Sequence, residues 1–197
     1  MASSDLALVL HAHLPYVRSG VPGSLEEDWY FQALQECYLP LVQMLENAAA
    51  DPVSKPRLTL GLSPTLLALL SDAELNQRFL PWLEQRRELL AEADPRFAEA
   101  AADLKVQLQA AADQFRACGG NLLPRFRALQ QAGVLDLITC AATHGYLPLL
   151  RDTPEAVHAQ LVTAVRQHQR LLGERPLGIW LPAVSYTHLR AHETVLD

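Results

Sequence analysis

Four short apolar runs, separated by stretches of helical period, constrain this chain more than any other feature. Leu6-Ala-Leu-Val-Leu10, Arg57-Leu-Thr-Leu-Gly-Leu62, Val134-Leu-Asp-Leu-Ile-Thr-Cys140 and Leu177-Gly-Ile-Trp-Leu181 have strand length and near-continuous hydrophobicity. Such runs suit strands buried on both faces of a parallel sheet. Between the first two, Ala33, Leu34, Cys37, Tyr38, Leu41, Met44 and Leu45 recur at three- and four-residue spacing. That pattern predicts one helix from Glu26 to about Asn47, kinked at Pro40.

Punctuation supports the same reading. Ser63-Pro64 offers an N-cap and a first helical residue. Asp94-Pro95 opens an Ala-rich helix closed by Gly119-Gly120, and Thr153-Pro154 opens another that Gly173 stops. Strands alternating with helices imply crossover connections and parallel pairing. The stretch from about 72 to 132 is too long for one crossover and reads as a helical insertion on the outside. At 197 residues the chain is shorter than the roughly 250 of a whole (β/α) barrel.

A hydrophobic share of 50% against 19% charged residues supports a packed core. The net charge of −6, with no Lys/Arg run, argues against a nucleic-acid partner, which needs a basic face. Cys37, Cys118 and Cys140 form no C-x-x-C and suggest a reducing compartment with buried or inert thiols. No basic leader or apolar stretch near ~20 residues is present, so no membrane partner is expected and a cytoplasmic location is the default.

Working residues of parallel α/β folds sit at the carboxyl ends of strands. His11 and His13 end the first run, His144 follows the third, and Trp180 lies in the fourth. A period of two puts His11 and His13 on one side of the sheet. Three readings stay open for that pair. They are metal ligands, hydrogen-bonding groups for a sugar or a catalytic carboxylate, or partners for buried backbone. His144 stands in Thr143-His-Gly-Tyr146, where Gly145 permits a sharp turn. Trp180 and Trp29 offer indole faces for sugar rings or, equally, for core packing; Trp82 reads as packing. The acidic Glu26-Glu27-Asp28 is explained by a helix N-terminus. Dinucleotide, P-loop, nucleophile-elbow and H-E-x-x-H motifs are absent.

Taken together, these strand ends resemble glycoside hydrolase family 57, and within it the 1,4-α-glucan branching enzymes. The matching pieces are Leu8-Val-Leu-His-Ala-His-Leu-Pro-Tyr-Val-Arg18, Tyr38-Leu-Pro-Leu41, Leu58-Thr-Leu-Gly-Leu-Ser-Pro-Thr65, Thr143-His-Gly-Tyr-Leu-Pro-Leu149 and Gly178-Ile-Trp-Leu-Pro182. The resemblance implies an α/β fold, the front portion of an incomplete seven-stranded (β/α) barrel with a helical insertion, needing no metal or other cofactor. It implies an α-glucan partner, amylose or glycogen-like, and a place in glycogen biosynthesis. Its mechanism retains anomeric configuration: a Glu attacks the sugar carbon and an Asp protonates the leaving oxygen, with carboxyls about 5–5.5 Å apart. A glucan 6-hydroxyl then takes the glucosyl group in place of water. By carry-over, His11, His13, His144 and Trp180 would line the donor sugar site.

In the family pattern the nucleophile follows Trp-Leu-Pro directly, and here that position is Ala183. A methyl group cannot attack carbon. Residues 1–182 are thus expected to be the family portion and 183–197 an unrelated tail, resembling translated adapter sequence left by a cloning or assembly fault. Glu193 in that tail is no evident substitute, and the acid/base Asp lies beyond this chain. The expectation is an inactive, truncated and poorly soluble fragment, its sheet edges left unpaired. A metal-dependent amidohydrolase-like barrel using His11 and His13, and a non-catalytic glucan-binding fragment, are the alternatives.

Overall fold

The computed structural model describes residues 6–51 and 56–181. Within them, β1 (Val9–Ala12), β2 (Leu58–Leu62), β3 (Leu135–Cys140) and β4 (Ile179–Trp180) pair side by side in chain order. Every pairing is parallel. Each connection must therefore cross over the sheet and return to the neighbouring position, which packs helices against it. The result is a curled half-barrel of α/β type. Four strands of the expected barrel are present among the described residues.

The inner strands match the apolar-run reading, and the outer ones correct it. Leu58, Leu60 and Leu62 on β2 and Leu135, Leu137 and Cys140 on β3 are buried. β1 starts at Val9, and Leu6, Leu8 and Val9 are exposed, so this run is not buried on both faces. β4 is only two residues long, with Leu177 and Ile179 exposed. Both are edge strands among the described residues, paired on one side only, so their outer flanks meet solvent.

The helices follow their caps. Ser24 Oγ accepts from the Glu27 N–H at the start of α1 (Leu25–Ala33). The kink expected at Pro40 is instead a π turn, Leu34–Tyr38, just before α2 (Leu39–Ala50). There the Leu39 N–H reaches back five residues to the Leu34 carbonyl. Pro40, with no N–H to donate, then sits in the first turn of α2, where none is required. Ser63 caps α3 (Pro64–Ser71), its Oγ accepting from Leu66 N–H at 3.2 Å. Such a cap is worth about 1 kcal/mol. The helical stretch after Asp72 divides into α4 (Ala73–Asn76) and α5 (Phe79–Ala91), followed by α6 (Ala98–Ala117) and α7 (Leu123–Gln131). α8 (Pro154–Leu172) ends at Gly173, whose φ of 89° is the left-handed conformation glycine tolerates.

The 72–132 stretch shares the common core. Phe31 on α1 packs against Phe79 and Trp82 on α5, and Phe79 meets Phe115 on α6 edge-on at 4.7 Å. α7 packs against β3, α2 and α8. A helix dipole is also an insufficient account of the acidic cluster on α1. Glu27 is fully buried, accepting from Arg78 at 3.0 and 2.9 Å and from Arg18 at 3.3 Å. Asp28 accepts from Trp82 Nε1 and Arg86. The acidic run thus anchors α1 to α5 and to the segment after β1. The thiols are not uniformly buried: Cys37 is exposed, Cys118 intermediate and Cys140 buried. No helix among the described residues is long and apolar enough to cross a membrane.

Candidate functional site

Because all strands run parallel, their carboxyl ends share one edge, and the polar groups singled out from sequence meet there. His11 projects from β1, and His13 stands just past its end. His144 lies four residues beyond β3, and Trp180 closes β4. The His11 and His13 rings are 6.0 Å apart and nearly coplanar in orientation, as expected from alternation along a strand. The His144 ring lies 3.8 Å from His13 and 5.0 Å from His11. Trp180 stacks on His11 at 5.8 Å. Three strand ends therefore contribute to one imidazole–indole surface. Trp29 is elsewhere, half-exposed on α1, and Trp82 is core, as its sequence context suggested.

The local backbone explains the convergence. Gly61 on β2 is the register partner of His11, and a Cβ there would lie 3.0 Å from His11 Nδ1. The missing side chain lets the His11 ring lie across β2 toward the end of β3. There Nε2 meets His144 Nε2 at 2.8 Å. His144 itself has φ of 58°, rare for a residue with a side chain. Gln160 on α8 holds the segment in this form. Its Oε1 accepts from the Thr143 N–H at 2.9 Å, and its Nε2 donates to Thr143 Oγ1 at 2.8 Å. Its carbonyl accepts from the Ala142 N–H at 3.2 Å. On the other side, Thr65 Oγ1 donates to the Leu14 carbonyl at 2.6 Å and lies 3.5 Å from His13 Nδ1.

Electrostatics keep the cluster neutral. Burial, followed by the neighbouring imidazoles, lowers the His13 pKa to about 4. Burial and His144 lower that of His11, and burial lowers that of His144 against an opposing backbone hydrogen bond. Near pH 7 each ring therefore presents one N–H donor and one lone pair. His11 Nδ1 is buried without a hydrogen-bond partner among the described residues. This surface can exchange hydrogen bonds with hydroxyl groups, or supply neutral nitrogens to a cation.

Three participants escaped sequence reasoning. Gly61 carried a signal, since a glycine inside a strand often marks close approach by another group. Gln160 carried none, being one polar residue on an amphipathic helix. Cys140, read as an inert thiol, joins His11 and His144 in a group whose ligand atoms all lie within 4.8 Å of one another. His13, weighed with His11 as a metal pair from sequence, is not a member of this three-residue group. The expected nucleophile position, Ala183, and the 183–197 tail lie outside the described residues.

A curled parallel half-barrel with its polar cluster at the strand carboxyl ends is the architecture of part of a (β/α) barrel. The chain belongs to glycosyl hydrolase family 57, whose family model matches residues 7–192. That match runs ten residues past Pro182, where the motif pattern departs. The chain is 34% identical over 185 residues to the 1,4-alpha-glucan branching enzyme TK1436 of Thermococcus kodakarensis, covering 92% of this chain and 27% of the relative. Among solved structures it superposes on the branching enzyme of Pyrococcus horikoshii with a TM-score of 0.82 and 35% identity, covering 89% of this chain and 34% of that one. It superposes on the alpha-amylase AmyC of Thermotoga maritima with a TM-score of 0.79 and 32% identity, covering 88% and 34%. The chain thus spans about a third of the length of these relatives.

Proposed function

We propose that this chain is the front portion of an α-glucan-active family 57 enzyme of the 1,4-α-glucan branching type, and that its strand-end cluster takes the donor sugar. The observation carrying this reading is the convergence of His11, His13, His144 and Trp180 on one edge of the sheet. Neutral imidazoles can donate to one hydroxyl and accept from the next, and an indole face packs against pyranose C–H groups. The branching subgroup is supported by the names of the relatives from Thermococcus and Pyrococcus.

Turnover is a separate matter. The retaining mechanism needs a nucleophilic carboxylate and an acid/base carboxyl. Ala183 stands where the family motif places the first. We therefore assign sugar binding to the portion up to Pro182, and no glycosyl transfer to the 197-residue chain itself.

Titration calorimetry with maltoheptaose tests the binding half of this reading. Binding that His144→Ala weakens tenfold or more is the expected result; no detectable heat from a folded chain would overturn it. Iodine staining of amylose tests the other half. Any protein-dependent branching by the purified chain would refute the assignment of no transfer.

A further inference from the structure

We infer that His11, Cys140 and His144 form a binding site for a borderline-soft divalent transition ion, Zn²⁺ foremost. One ligand atom from each residue lies within 4.8 Å of the others. Tetrahedral zinc, with bonds of about 2.0–2.1 Å to nitrogen and 2.3 Å to sulfur, spaces its ligand atoms about 3.3–3.8 Å apart. The imidazole nitrogens of His11 and His144 already stand at 2.8 Å. Closure on an ion therefore takes side-chain adjustments of about an ångström, with no rebuilding of the sheet.

The donor chemistry selects the ion class. Two imidazoles and a thiolate are the mixed nitrogen–sulfur set that zinc accepts and that calcium and magnesium, which favour oxygen, do not. Among the described residues no carboxylate belongs to the group. His11 on β1 and Cys140 on β3 stand on the two strands that flank β2 in one sheet, and the Gln160 latch fixes the segment bearing His144. His11 and His144 are half-buried, and water would complete the tetrahedral set as the fourth ligand.

Cys140 releases its thiol proton to solvent on binding. The proton shared between His11 and His144 moves to the far ring nitrogen of its owner, leaving both imidazoles neutral. The ion uses nitrogens that the glucan reading turns toward sugar, yet the site stands on its own geometry and its test contains no sugar. Failure of one reading therefore leaves the other intact.

The test uses the untagged 197-residue chain carrying His188→Ala and His192→Ala, stripped of metal by chelator. Calorimetry with ZnCl₂ should show one equivalent bound. Co²⁺ titration should add a thiolate-to-cobalt charge-transfer band. Cys140→Ser should abolish that band and weaken Zn²⁺ binding more than tenfold, and Cys37→Ser, at an exposed thiol, should change neither. His144→Ala, at a half-buried loop position, should weaken binding by a similar factor and decides the matter if Cys140→Ser does not fold. Absence of stoichiometric uptake, or full affinity in His144→Ala, overturns the site.

Discussion

His11 Nε2 lies 2.8 Å from His144 Nε2, joining the ends of β1 and β3 across 133 positions of sequence. β2 runs between those strands, and its residue at that level is Gly61. The contact therefore depends on a side chain that is absent. A bulkier residue on β2 would stand between the two imidazoles.

Gly61→Ala should disturb the cluster more than its size suggests. The added Cβ would sit 3.0 Å from His11 Nδ1 in a strand held on both sides, so the ring must shift. Overpacking of this kind costs about 1–3 kcal/mol. Urea denaturation should show that loss, and side-chain NMR should show the His11 and His144 resonances displaced. Unmoved resonances would refute the proposed closeness.

Gln160→Ala should loosen the His144 segment. Both side-chain hydrogen bonds to Thr143 are lost, at a partly exposed position. The expected cost is about 1 kcal/mol. The more specific readout is hydrogen exchange, with the Thr143 amide losing protection and the core strands unaffected. Unchanged protection would show that Gln160 is not the latch.

Glu27→Ala should be the most damaging of these substitutions. It removes a fully buried carboxylate and strips Arg78 and Arg18 of a shared partner. Breaking a buried ion pair on one side costs about 3 kcal/mol or more. Chemical denaturation measures the loss, and a change under 1 kcal/mol would contradict the anchoring role.

Acid should destabilise the fold over a defined window. Burial lowers His168 from 6.5 to about 4, and burial with neighbouring imidazoles does the same to His13. Between those values the unfolded chain binds protons that the folded chain does not. Stability contributed by these neutral rings is thus fully present above about pH 6.5 and falls as pH drops toward about 4. His168 is fully buried with both ring nitrogens unpartnered among the described residues. His168→Leu should therefore flatten the fall in urea midpoint between pH 7 and pH 5. An unchanged slope would remove His168 from the account.

Much of this molecule is readable along the chain, for a local reason. Caps, breakers and periodicity act over a few residues. Ser63-Pro64 starts α3, Gly173 stops α8, and four apolar runs supply four strands in parallel order. The placing of His11, His13, His144 and Trp180 at strand ends follows from the same local signals, once crossovers make the strands parallel. What sequence could not state is which neighbours each element meets. The run beginning at Leu6 reads as doubly buried, yet its burial depends on a strand beside it, and β1 has one only on its β2 side among the described residues. Glu27 reads as a helix-dipole residue until Arg18 and Arg78 close over it.

The sequence by itself determined the family, the order of elements and the candidate imidazoles and indole, because each rests on short-range pattern. The tertiary structure alone decided that His11 pairs with His144, that Gly61 makes room for it, and that Cys140 completes a group with them. Those relations join strands separated by whole helical crossovers, and only the packing of the sheet sets the distances between their ends.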